Sequence, residues 1–180
     1  MQIKDIQTQL GVTADGIWGE KSKQAMRSAM RDGKVIKITE NISLNELLAS
    51  NTASRLGLDN MPDGKVLQNL IDSAIKLFQP AREILGKPIR ISSGYRSPKL
   101  NAKIGGAKNS AHLYGFAMDF VCPEVGNTKQ VLKKLTDGLK AKGIKFDQAI
   151  IEYPTSPNSW IHLGYKHPSG TQRGQVFRIG

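Results

Sequence analysis

A single cysteine, Cys122, occurs in the chain of 180 residues, so no internal disulfide can form and the fold does not depend on an oxidising compartment. Long apolar runs are also missing, and no stretch is long enough to span a bilayer. The first residues, Met1-Gln-Ile-Lys-Asp-Ile6, lack the hydrophobic segment of a secretory signal. The expectation from these absences is a protein made and kept in the cytoplasm unless something else releases it. Aromatic residues are few, and arginines and aromatics are not interleaved as base-stacking surfaces require, so no specific nucleic-acid partner is expected. Acidic residues are scarce as well: 15 Asp and Glu face 26 Lys and Arg, leaving a formal charge of +11. Such a field favours an anionic partner, whether nucleic acid, an anionic membrane such as an outer-membrane surface, or an anionic cell-wall polymer, and charge alone does not choose among them. The lysines at 129, 133, 134 and 140 also suit the solvated face of one amphipathic helix, around Val131, Leu132, Leu135 and Leu139. The length is that of one domain with a real core and a small appendage, and a monomer is expected.

Residues 1–34 read as two short helices around a glycine turn, Gly11 to Gly19, with Trp18 as a packing anchor. Residues 35–180 read as the main domain. Within it, Ser43-Leu-Asn-Glu46 is a capping box, and a helix beginning after Asp63 carries Leu67, Leu70, Ile71, Ala74, Leu77 and Phe78 on one face. Pro80 interrupts that run, so a kink or restart is expected there. Ser97-Pro98 starts another short helix, and Thr128 to Lys142 forms the lysine-rich one, stopped by Gly143. Strands are expected at Ile89 to Ile91, after Gly115, at Phe146 to Tyr153, at Trp160 to Tyr165 and at Gln175 to Ile179. No β-α-β rhythm repeats. The pattern predicts an α+β fold with a small, largely antiparallel sheet flanked by helices.

The chemistry concentrates in Ser110-Ala-His112-Leu-Tyr-Gly115-Phe-Ala117-Met-Asp119 and in Trp160-Ile-His162-Leu. His, Asp and His form a zinc-ligand set that leaves one coordination position open. Seven residues separate His112 from Asp119, which suits a tight turn at Gly115 followed by a strand. Asp119 interrupts the apolar run Phe116 to Val121, and a lone carboxylate buried there needs a compensating cation. Spacing alone leaves the competing reading open, in which both histidines are satisfied core residues and Asp119 is a strand-end cap. Cys122 reads as a buried thiol rather than a fourth ligand.

A wider set of motifs decides between the two readings. The run Pro88-Ile-Arg-Ile-Ser-Ser-Gly-Tyr-Arg96-Ser-Pro98, then Leu100-Asn101, Gly105-Gly-Ala107, the His112/Asp119 stretch and Trp160-Ile-His162 together resemble the zinc D-Ala-D-Ala carboxypeptidase family. That family includes L-alanyl-D-glutamate endopeptidases used as phage endolysins and shares the Hedgehog/DD-peptidase fold. The resemblance covers about Ser43 to Tyr165. It implies that His112, Asp119 and His162 hold Zn2+, that Arg96 binds a substrate carboxylate, and that Ser110 hydrogen-bonds near the metal. Many members carry Glu or Asp three residues before the last histidine, where this chain has Ser159. Members with Trp-x-His endings often place a glutamate on the preceding strand, which makes Glu152 the expected base and Asp147 the runner-up. The implied activity is hydrolysis of an amide in the peptidoglycan stem peptide, L-Ala–D-Glu ahead of a D-Ala bond. The alternative is a wall-binding protein that keeps the metal without catalysis. Residues Gln7 to Ala25 resemble part of a peptidoglycan-binding module.

Overall fold

The computed structural model describes residues 1–180. Two helices, α1 (Ile3–Leu10) and α2 (Glu20–Arg31), open the chain around the expected glycine turn, where Gly11 closes α1 in the left-handed conformation. Ser43 and Glu46 form the capping box of α3 (Leu44–Leu48), and α4 (Asn51–Leu56) follows at once. The side chain of Asp63 accepts the Val66 amide at 2.8 Å and starts α5 (Gly64–Ser73).

The expected break at Pro80 takes the form of a π-helical turn, Ala74–Phe78, leading into α6 (Gln79–Leu85). Proline has no amide to continue the α-helical bonding, so the wider turn absorbs the mismatch, and Pro80 lies in the first turn of α6, where that loss costs little. After β1 (Arg90–Ser93), Ser97 caps α7 (Pro98–Lys103), and a 3₁₀ turn at Ala111–Tyr114 leads into β2 (Ala117–Val121). Helix α8 (Thr128–Ala141) then crosses to β3 (Gln148–Glu152), β4 (Trp160–Gly164) and β5 (Gln175–Ile179).

The strands form one sheet in the order β1-β2-β4-β3-β5. Three of its ladders are antiparallel, and only β5 runs parallel to its neighbour β3. The fold is therefore α+β with a largely antiparallel sheet. Strand alternation divides its residues between two faces. Met118, Phe120, Ala149, Ile151, Ile161 and Leu163 join the helices in the core. Ala117, Asp119, Ile150, Glu152 and His162 share the other face.

The core also absorbs the first two helices. Ile6, Trp18, Met26 and Ala29 belong to the same cluster of 33 buried residues as Leu67, Phe78 and Leu139. Trp18 lies over Gly64 at the start of α5, where a Cβ would come within 3.4 Å of the tryptophan Cβ. Arg27 reaches Asp59 at 2.9 Å, and the Gln9 side chain exchanges two hydrogen bonds with the backbone of Lys37. The expected boundary at residue 34 thus does not coincide with a gap in the core. The short helices cannot bury their apolar stripes against each other alone, and α5 supplies the missing surface.

Candidate metal centre

His112 sits on the 3₁₀ turn, and Gly115 ends that turn at φ 72°. A Cβ at Gly115 would lie 2.8 Å from the Val66 carbonyl oxygen and 2.9 Å from Leu70 Cγ, so both the conformation and the close approach to α5 require glycine. Ser73 Oγ donates to the Gly115 carbonyl at 2.9 Å, and Asn69 Nδ2 donates to that of Tyr114 at 3.0 Å. The turn is thereby fixed to α5. Asp119 comes from β2 and lies directly opposite His162 of β4 in the antiparallel register.

Three atoms from these separate segments converge. His112 Nε2 is 3.1 Å from Asp119 Oδ1, His162 Nδ1 is 2.9 Å from the same oxygen, and the two nitrogens are 3.2 Å apart. Ligands at zinc distances of about 2.0–2.1 Å in a tetrahedron are separated by about 3.3 Å, so the trio matches one face of such a tetrahedron. All three residues are buried.

The proton positions support the same conclusion. His112 Nδ1 is 2.7 Å from the Gly94 carbonyl and must donate to it, which leaves Nε2 of the neutral ring as a lone pair facing the carboxylate. Burial pushes the His112 pKa down, against the opposing pull of Asp119. Burial would raise the Asp119 carboxyl, but the imidazoles of His112 and His162 outweigh it and hold it well below the usual carboxylate range. A divalent cation satisfies the converging lone pairs and the buried charge together, so the residues present fit the group.

These shifts set a pH dependence for the metal-free protein. Below the ordinary histidine value near 6.5, the unfolded chain takes up a proton that buried His112 refuses; below about 4 the same holds for Asp119. In both windows the unfolded state binds more protons, so stability falls as pH falls. Urea unfolding of the metal-free protein from pH 7.5 to 4 is expected to show midpoints that decline steadily. A flat profile would remove these two groups as buried, unprotonated residues.

The surrounding residues depart from expectation in informative ways. Arg96 is nearly buried, and its Nη2 pairs closely with Asp119 Oδ2 while Nε donates to Ser93 Oγ at 2.8 Å. The guanidinium thus occupies the carboxylate oxygen that faces away from the histidines, and its Nη1 has no partner within the chain. The Ser110 hydroxyl makes no hydrogen bond to His112, Asp119 or His162; it stands at the start of the 3₁₀ turn. The groups that do orient the trio are the Gly94 carbonyl, Arg96 and, on the Asp119 backbone, Ser92 Oγ. A backbone carbonyl leaves no trace in residue type, so Gly94 was not legible as an orienting group.

Glu152 and Asp147 separate clearly. Glu152 is half-buried on the metal face, opposite Trp160 and diagonal to His162, whose direct partner is Ile150. The side-by-side placement expected for Glu152 and His162 is therefore offset by one pair. Burial and the nearby Asp119 charge push the Glu152 pKa up, while His162 and Arg96 pull it down. Asp147 instead enters β3 with the opposite parity and is 1% exposed. Arg173 grips both its oxygens at 2.7 Å. Both oxygens of Asp147 are thus engaged by Arg173 rather than by any group of the centre.

Ser159, three residues before His162, donates to the Glu152 carbonyl at 3.0 Å and lies 3.0 Å from Thr128 Oγ1. It ties the strand bearing Glu152 to the start of α8. Cys122 is buried with its thiol near the Pro88 carbonyl, and His167 is on the surface beside Ser169; neither joins the cluster.

The profile of the Peptidase M15 family matches residues 40–163, a range containing all of these site residues. A zinc D-Ala-D-Ala carboxypeptidase from Streptomyces albus G is 46% identical over 43 residues, which are 23% of this chain and 17% of that protein. The similar stretch is thus a small part of either protein.

Proposed function

Because the chain belongs to the peptidase M15 family, we propose that it is a zinc-dependent peptidoglycan peptidase whose metal ligands are His112, Asp119 and His162. The observation that carries this reading is the convergence of three ligand atoms from three segments at mutual distances of 2.9–3.2 Å. When bound, zinc supplies Lewis-acid polarisation of the scissile carbonyl and lowers the pKa of a water toward ~7. Glu152 takes the proton from the attacking water and returns it to the leaving amine. Its raised pKa keeps that carboxyl closer to neutral pH, where a single group serves as both base and acid. Arg96 orients Asp119 through Nη2 and offers Nη1 to a carboxylate of the stem peptide.

The bond we assign is L-Ala–D-Glu, in an enzyme acting as a phage endolysin on the wall of the host. The net charge of +11 favours adsorption to an anionic wall or outer membrane, and the module-like sequence of the first two helices supports the same role. The similarity to a D-Ala-D-Ala carboxypeptidase favours a second reading, in which the terminal D-Ala is removed. Mass spectrometry of purified peptidoglycan after digestion separates them. New amino termini on D-Glu support the first reading, and free D-Ala supports the second. No new amino termini and no free D-Ala from the zinc-loaded protein would sink both.

The ligand assignment has its own test. His112→Ala, Asp119→Ala and His162→Ala should each lower zinc content from about one per chain toward zero on elemental analysis. A variant that retains a full complement removes its residue from the ligand set.

A further inference from the structure

Asn60 lies in the loop between α4 and α5, more than thirty residues from any group at the centre, and is 8% exposed. Its amide is almost fully used. Nδ2 donates to the Leu48 carbonyl at 2.9 Å and to the Tyr95 carbonyl at 3.1 Å, and Oδ1 accepts the Ser97 amide at 2.8 Å. A flipped amide would set its oxygen against two carbonyls and its NH2 against an N–H, so the partners dictate the orientation.

The two loop contacts fall on either side of Arg96. The segment 94–97 joins β1 to α7 and belongs to no ladder of its own. It is pressed against α3 so closely that a Cβ on Gly94 would lie 2.3 Å from the Leu47 carbonyl oxygen, and the Tyr95 amide donates to that oxygen at 2.7 Å. This same segment supplies two of the three groups that orient the trio: the Gly94 carbonyl on His112 Nδ1 and the Arg96 guanidinium on Asp119. Asn60 is the side chain that binds the segment to the end of α3.

We propose that Asn60 is a positioning residue for the metal centre, setting the 94–97 segment so that Gly94 and Arg96 hold His112 and Asp119 in ligand geometry. The proposal rests on the metal reading above. Outer groups of this kind change metal affinity by about 10–100-fold when lost, because they fix the tautomer and direction of each ligand. Replacing Asn60 by alanine leaves two carbonyls and one amide without their partner and frees the segment on both sides of Arg96.

The test compares zinc affinity, measured by competition with a chromophoric chelator, in the wild type, Asn60→Ala and Leu139→Ala. Leu139 is a buried core residue of α8, so its variant serves as a destabilised control. Asn60→Ala is expected to bind zinc at least about tenfold more weakly, while Leu139→Ala stays within about twofold of the wild type. Equal affinity in the wild type and Asn60→Ala overturns the proposal, as does an equal loss in the control.

A second readout uses the metal-free protein. The His112 Nδ1 proton, shielded by the Gly94 carbonyl, should give a slowly exchanging NMR signal in the wild type that is lost in Asn60→Ala. Its persistence in the variant overturns the clamp even if the wild type binds no zinc, an outcome that would separately overturn the metal reading. Should Asn60→Ala fail to fold, the wild-type Ser97 amide decides. Slow exchange there is expected, and fast exchange shows that Asn60 does not hold the segment.

Discussion

Glu152→Gln is expected to keep about one zinc per chain and to lose turnover of peptidoglycan by about 10²–10⁴-fold, the contribution of a positioned acid/base. The substitution is nearly isosteric and removes only the ability to accept and return a proton. Glu152 lies on the same sheet face as Asp119 and His162, and its carboxyl responds to the charges of Asp119, His162 and Arg96. Its basic form is lost as pH falls, so the acid limb of kcat/KM should belong to Glu152 and flatten in the variant. Asp147→Asn should behave differently. Its carboxylate is buried against Arg173, so the variant should unfold at lower temperature while its folded fraction keeps turning over. Full turnover in Glu152→Gln, or a flattened acid limb in Asp147→Asn, would reverse the assignment.

Deleting residues 1–31 is expected to destabilise the whole protein. On its resemblance to a wall-binding module alone, that deletion should weaken wall binding more than cleavage of a soluble peptide. The shared core implies a larger effect. Ile6 and Met26 are completely buried and Trp18 nearly so, all within the cluster that includes α5 and the sheet. Burial of such side chains contributes about 1.5–3 kcal/mol each, and three of them approach the 5–15 kcal/mol that holds a typical domain together. The truncated chain should therefore melt at least about 10 °C lower or fail to remain soluble, with cleavage of soluble peptide lost alongside wall binding. Met26→Ala alone should cost about 2–5 kcal/mol. An unchanged melting temperature in the truncated protein, with only wall pelleting reduced, would restore the first two helices to an independent module.

These two experiments fall where sequence and tertiary structure contribute differently. Helix starts at Ser43 and Ser97 were legible because capping is a local matter: a side chain meets an amide two or three residues away. The turn at Gly115 and the strand after it were legible for the same reason. The candidate trio was legible only through the wider set of motifs, because residue type and spacing alone also allowed satisfied core histidines and a strand-end cap at Asp119.

Other properties depend on which segments meet. That Glu152 shares the sheet face of the trio while Asp147 is held elsewhere follows from strand parity and from Arg173, which is 26 residues from Asp147 in the chain. The pairing of Arg96 with Asp119 depends on the β1–β2 approach, and the hold of Asn60 on both sides of Arg96 depends on the end of α3 lying against that loop. That the first two helices share the core of the rest of the chain was not legible, because an amphipathic stripe shows that a face will be buried without naming the surface that buries it. By itself the sequence determined the local elements, which arise from residue type and short-range spacing, and it offered His112, Asp119 and His162 as a candidate set. Only the tertiary structure decided which carboxylate faces the centre, what orients the ligands and where the core ends, because register and burial are set by contacts between distant segments.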